Sequence, residues 1–187
     1  MSDKEKMLLR HAQNVFLRYG IKRTSMADIA EEAGISRQTL YKTFSNKDDV
    51  MLAMMRHHFS EKAAAMAAGI AATDNVSTQI DVIVRAVVIA PREALSLSPH
   101  AAEIMDGIGK LSERELARAA EETRGIFKQV FAPYVTELEG KGMTPAGLAS
   151  FAQLACKSIK GGATSKAEML ELIATFKAVV LTALGRG

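Results

Sequence analysis

An all-α fold is the class that this sequence predicts, and three observations carry it. The chain is rich in Ala and Met but has only four Pro among its 187 residues, a composition that favours helix over sheet. Apolar residues recur three and four apart, with no strand-like alternation. Capping residues and glycines punctuate this pattern where helices would start and stop.

The first segment carries Leu8, Ala12, Val15, Phe16 and Tyr19 at helical spacing, predicting a helix from about Lys4 to Tyr19 that Gly20 stops. Ser25 opens a second helix, with Asp28 completing a capping box. Met26, Ile29, Ala30 and Ala33 form its buried stripe and Gly34 ends it. Ser36 caps a third helix reaching Phe44, on the order of 13 Å long at about 1.5 Å per residue. Ser45 and Asp48 suggest another capping box, starting a fourth helix from about 46 to 71.

Beyond Thr73-Asp74-Asn75, a loop signal, Ser77 is placed to cap a helix whose apolar face is Ile80, Ile83, Val84, Val87 and Val88. Pro91 kinks or breaks it. A stretch from Ala101 to about Gly109 follows, and then a long amphipathic helix from Ser112 to about Glu139, with Pro133 as a kink. The turn Gly140–Gly142 leads to two last helices, about Thr144–Lys160 and Ser165–Leu184, separated by Gly161-Gly162.

Residues 25–44 place two short helices around a tight turn at Gly34-Ile35-Ser36, the arrangement of a helix-turn-helix. Glycine in the turn admits the positive φ that other residues resist, and Ala30 is small where the helices would approach. Between Glu32 and Asp48 there is no acid, while Arg37, Lys42 and Lys47 fall inside. Between Glu5 and Asp28 there is again none, while Lys6, Arg10, Arg18, Lys22 and Arg23 are basic. Local basic surface of this kind suits phosphate. The formal net charge of +3 permits a nucleic-acid partner without requiring one.

These residues resemble the DNA-binding domain of the tetracycline-repressor (TetR) family over about residues 4 to 55. The resemblance lies in Phe16, Gly20, Thr24-Ser25, Ile29-Ala30, Ala33-Gly34-Ile35-Ser36, Thr39-Leu40-Tyr41, Phe44 and Lys47. Gln38 departs from it where Gly is frequent, and Thr43 where His is frequent. The resemblance implies an N-terminal three-helix DNA-binding domain, residues 1–48, followed by a helical effector-binding and dimerisation domain, residues 49–187. It implies a homodimer on a double-stranded, palindromic operator, repressing transcription until a small molecule binds. Tyr41, Lys47 and Thr24 or Ser25 match phosphate-contacting positions. Ser36, Arg37, Gln38, Thr39 and Lys42 lie where base or nearby backbone contacts are expected. Gln38 has the groups to pair with an adenine edge.

For the effector pocket the candidates are Met66, Ile70, His100, Ile104, Met105, Ile108, Phe127, Phe131 and Tyr134, with Glu103 and Arg85 as further polar contacts. Such a lining suits a small, mostly apolar effector. Phe151, Leu154, Ala155, Ile173, Phe176 and Val180 are candidates for a helical dimer interface, the alternative being that the last two helices only close their own core.

Other chemistries find little support. His57 and His58 are adjacent and point apart on a helix, and no His pair has the spacing of a helical zinc site. The single Cys156 excludes an intramolecular disulfide and suits a reducing, cytoplasmic setting. No metal, cofactor or membrane segment is expected, and no nucleophile–base arrangement points to an enzyme. A constitutive or architectural DNA-binding factor without an effector stays open beside the regulator.

Overall fold

A computed structural model describes residues 2–96, His100, Glu103, Asp106 and 113–186. Among the described residues there is no strand, and no helix is long and apolar enough to cross a membrane. The chain forms two compact units: Met1–Glu61 with Ala94–Leu116, and Lys62–Glu93 with Ala117–Gly187.

The first unit holds α1 (Asp3–Tyr19), α2 (Met26–Glu32), α3 (Arg37–Tyr41) and the start of α4 (Lys47–Ala71). Ser2 and Glu5 cap α1 reciprocally, and Ser25 and Asp28 do the same for α2. The cap of α4 falls one residue later than the sequence suggests. Asn46 Oδ1 accepts the Asp49 N–H at 2.9 Å, and Asp49 reaches back to the Ser45 N–H at 3.1 Å. The helical stripes converge on Leu8, Ala12, Phe16, Ile29, Leu40 and Val50, all but sealed from solvent.

The second unit holds the end of α4, α5 (Val76–Val84), the start of α6 (Ala90–Ser96), most of α7 (Glu113–Phe131), α8 (Val135–Glu139), α9 (Pro145–Gly162) and α10 (Lys166–Ala183). Its core gathers Met66, Ile80, Ile83, Val88, Phe127, Phe131, Leu138 and Val180. Asn75, rather than Ser77, caps α5, because its carboxamide oxygen accepts the Thr78 N–H at 3.1 Å.

Pro91 and Pro133, each expected to kink a helix, are absorbed by different local turns. Before Pro91 the backbone widens to a π turn over Arg85–Ile89, and the Ala90 N–H bonds to the Arg85 carbonyl. A proline lacks the N–H and crowds the carbonyl four residues back, so the preceding turn loosens. Pro133 instead sits in a 3-10 turn, Ala132–Tyr134, which divides the predicted long helix into α7 and α8. Arg92 ties α6 to the end of α9, donating to the Ala163 carbonyl at 2.9 Å.

Candidate nucleic-acid interface

The angle between α2 and α3 is set by backbone hydrogen bonds around Gly34. Its N–H bonds to the Glu31 carbonyl at 3.0 Å and the next N–H, of Ile35, to the Ala30 carbonyl at 3.0 Å. This paired closure requires a left-handed residue just past the helix, and Gly34 has φ +63°. Ile35 then packs, partly buried, against the core of the first unit. Ser36 caps α3, its hydroxyl accepting the Thr39 N–H at 3.1 Å.

The helix so placed is shorter than the sequence predicts: five residues, Arg37–Tyr41, although the Phe44 N–H still bonds to the Leu40 carbonyl at 2.9 Å. Leu40 is its single buried anchor. Arg37, Gln38, Tyr41, Lys42 and Thr43 are exposed, with Tyr41 at 53%. Thr39 is half-buried and its hydroxyl is hydrogen-bonded to that of Ser36 at 2.8 Å.

Three other candidates, Thr24, Ser25 and Lys47, have hydrogen-bond partners within the protein. Thr24 is buried, and its hydroxyl donates to the Gly20 carbonyl at 2.7 Å. Ser25 stays exposed at the α2 N-terminus, but its hydroxyl donates to Asp28 at 2.9 Å. Asp28 is held below the ordinary carboxylate range by the Ser25 backbone N–H first and its hydroxyl second. Lys47 is partly buried and donates to the carbonyls of Ile21 at 2.6 Å and Thr24 at 2.9 Å, committing two of its three N–H groups. Of the neighbouring cations, Arg18 lies 3.5 Å from Glu32, while Arg10, Lys22 and Arg23 are exposed.

Residues 8–54 match the family described as bacterial regulatory proteins, tetR family. That match takes in the helix-turn-helix and its flanks, about a quarter of the chain. An HTH-type transcriptional regulator of Bacillus subtilis, YezE, is 34% identical over 74 residues, covering 40% of this chain and 38% of that protein. The chain thus spans well under half the length of this curated relative. Over the whole chain the TetR-family likeness is one of fold. A TetR/AcrR regulator of Thermobifida fusca superposes with a TM-score of 0.69 at 20% identity, covering 96% of this chain and 97% of that one. SmeT of Stenotrophomonas maltophilia, in a complex with triclosan, gives 0.58 at 17% identity, covering 97% and 91%.

The remaining candidates are divided among several places in the chain. Met66, Phe127 and Phe131 are buried in the second unit's core, with Ile70 and Tyr134 packed against it. Phe127 stacks on Phe131 at 5.5 Å and meets Phe176 edge-on at 6.4 Å. His100 is not in that cluster: it stands against Gly20 in the first unit, as does Glu103. Arg85 lies 3.8 Å from Glu93. Ile104, Met105 and Ile108 lie outside the described residues.

The interface candidates also separate. Phe151 and Leu154 are exposed, and Ala155 and Ile173 are half-buried. Phe176 and Val180 are buried in their own chain's core, a correction to the sequence reading. On α10 the inward face is Met169, Phe176, Val180 and Ala183, whereas Leu172 and Val179 fall on the exposed face. Apolar residues on both faces of one helix gave the sequence no means of telling the two roles apart. An open groove of about 680 Å³ runs beside the exposed face, lined by Met143, Leu148, Phe151 and Val179 among others.

Proposed function

We propose that this protein is a dimeric, DNA-binding transcriptional regulator, a repressor released from a palindromic operator by a small, mostly apolar effector. The observation that carries the reading is the α2–α3 pair. A tight glycine turn supports a short helix whose outward residues, Arg37, Gln38, Tyr41 and Lys42, are exposed. Arg37 and Gln38 at the start of α3 meet base edges, while Tyr41, Lys42, the α2 N-terminus at Ser25 and the remaining donor of Lys47 meet phosphates. Phosphate contacts fix register and base contacts fix sequence.

The exposed apolar face of α9 and α10, with Phe151, Leu154 and Val179, joins two copies. Large apolar side chains grouped on one exposed face support its reading as an interaction surface. Two α3 helices then enter successive major grooves about 34–36 Å apart. The effector acts by binding one dimer geometry more tightly than the other. Its site lies around the aliphatic and aromatic core of the second unit, where Ile70 and Tyr134 are only partly buried. That the SmeT structure holds triclosan supports an apolar effector on this fold.

Selection of bound DNA from a random pool, with and without a library of apolar compounds, tests the whole reading. A palindromic site lost on addition of a compound is the expected result. No enrichment would sink the DNA-binding reading, and a site indifferent to every compound would sink the effector. Within the selected site, Gln38→Ala relaxes preference at one base position by about 1–3 kcal/mol.

A further inference from the structure

The connection between α1 and α2, Gly20 to Ser25, is held by side chains from two distant parts of the sequence. From the start of α4, the Lys47 ammonium donates to the carbonyls of Ile21 and Thr24. From the segment Ala94–Leu116, a carboxylate oxygen of Glu103 accepts the Lys22 N–H at 3.0 Å, across 81 residues of sequence. Its other oxygen lies 3.7 Å from His100 Nδ1. Thus a cation holds the carbonyls of the connection while an anion holds an amide of it.

Gly20 is built around this contact. A Cβ there would lie 2.7 Å from Glu103 Oε2 and 3.1 Å from His100 Nδ1. The backbone, at φ +80° and ψ 158°, is in a region essentially reserved for glycine. The same connection carries the exposed Lys22 and Arg23 and leads directly into the cap of α2 at Ser25.

We propose that Glu103 is a positioning residue for nucleic-acid binding, its carboxylate fixing the α1–α2 connection through the Lys22 amide. The proposal rests on the DNA-binding reading above. A charge-assisted hydrogen bond to a backbone amide is among the stronger ways to order an irregular segment. Ordering it in the free protein removes an entropic cost that would otherwise fall on binding. Lys22, Arg23 and the α2 N-terminus then reach phosphate from a preset frame.

Charge alone makes the opposite prediction, which gives the test its edge. Glu103 is an anion beside two cations, so removing its charge without any positioning role would strengthen DNA binding. The experiment compares the full chain with Glu103→Ala and Glu103→Gln. It measures amide exchange at Lys22 and affinity for pool-selected DNA at fixed salt. Glu103→Ala is expected to speed Lys22 exchange and to weaken DNA binding, each by roughly tenfold. Glu103→Gln loses the same charge but keeps an acceptor, so it restores both toward wild type. Unchanged exchange in Glu103→Ala, or equal or tighter DNA binding by both variants, overturns the proposal. Exchange at Ala12 and Leu40, in the core, reports whether each variant is folded. A wild type that binds no DNA sinks the proposed function instead, while Lys22 exchange still decides whether the carboxylate holds the connection.

Discussion

Lys47 Nζ lies 2.6 Å from the carbonyl oxygen of Ile21, so the first residue of α4 closes the connection between α1 and α2. The contact turns a residue chosen for its charge into a brace. Lys47→Met strands the carbonyls of Ile21 and Thr24 and costs about 1–3 kcal/mol. A shifted urea midpoint at constant slope is the expected record. With its third N–H on phosphate, the variant also lowers the salt dependence of DNA binding by about one ion. An unmoved midpoint would show that the brace contributes nothing.

Gly20 and Gly34 both have positive φ, yet they predict different tolerance. A Cβ at Gly34 meets nothing within 4 Å, whereas at Gly20 it meets Glu103 and His100. Gly20→Ala is therefore expected to destabilise by about 1–3 kcal/mol from backbone strain, with the clash added. Gly34→Asn, whose residue type accepts the left-handed region, costs less. Equal thermal shifts for the two variants would contradict this difference.

Phe176 and Phe151 are 25 residues apart on neighbouring helices and answer different questions. Phe176→Ala opens a cavity beside Phe127 and costs about 3–5 kcal/mol. Phe151→Asp leaves the core intact and shifts the solution mass toward monomer. A full-mass dimer in Phe151→Asp would move the interface off this face.

Acid sensitivity follows from Asp28 and Glu168. Both are held below the ordinary carboxylate range. For Asp28 the Ser25 backbone N–H is the main cause, and for Glu168 it is the Thr164 hydroxyl. Each binds its proton more readily when unfolded. Their stabilisation is present above the unfolded values, near 3.8 and 4.5, and is lost as pH falls through the lower folded ones. Asp28→Asn with Glu168→Gln should flatten the acid limb of a stability–pH curve. An unchanged limb would refute the assignment. Cys156 acts at the other extreme: burial pushes its thiol up to about 12, so stability falls as pH rises above the unfolded value of 9.0.

The helix-turn-helix was legible in the sequence because its rules are local. Ser25 with Asp28, Gly34 before Ile35, and Ser36 as the cap of α3 all act within a few residues, and each appears where the sequence placed it. Thr24 and Lys47 show the limit of such reading. A hydroxyl and an ammonium near a helix-turn-helix look available until their acceptors, on Gly20, Ile21 and Thr24, are seen. His100 and Glu103 were beyond reach altogether, since no pattern in the sequence pairs position 103 with position 22. On α10, Phe176 and Val179 are equally apolar, and only packing separates core from face.

The brevity of α3 has a consequence best counted as information. Five helical residues rise about 7.5 Å, the length of roughly two base pairs. Each base pair fully read supplies two bits, so one copy supplies about four. Finding one address among 10⁶ or more competing sites takes at least about 20 bits. On the proposed palindrome two copies reach about eight, and the shortfall falls to flanking contacts and to the spacing and deformability of the DNA. On the DNA-binding reading, so short a reading head must measure its site as much as spell it.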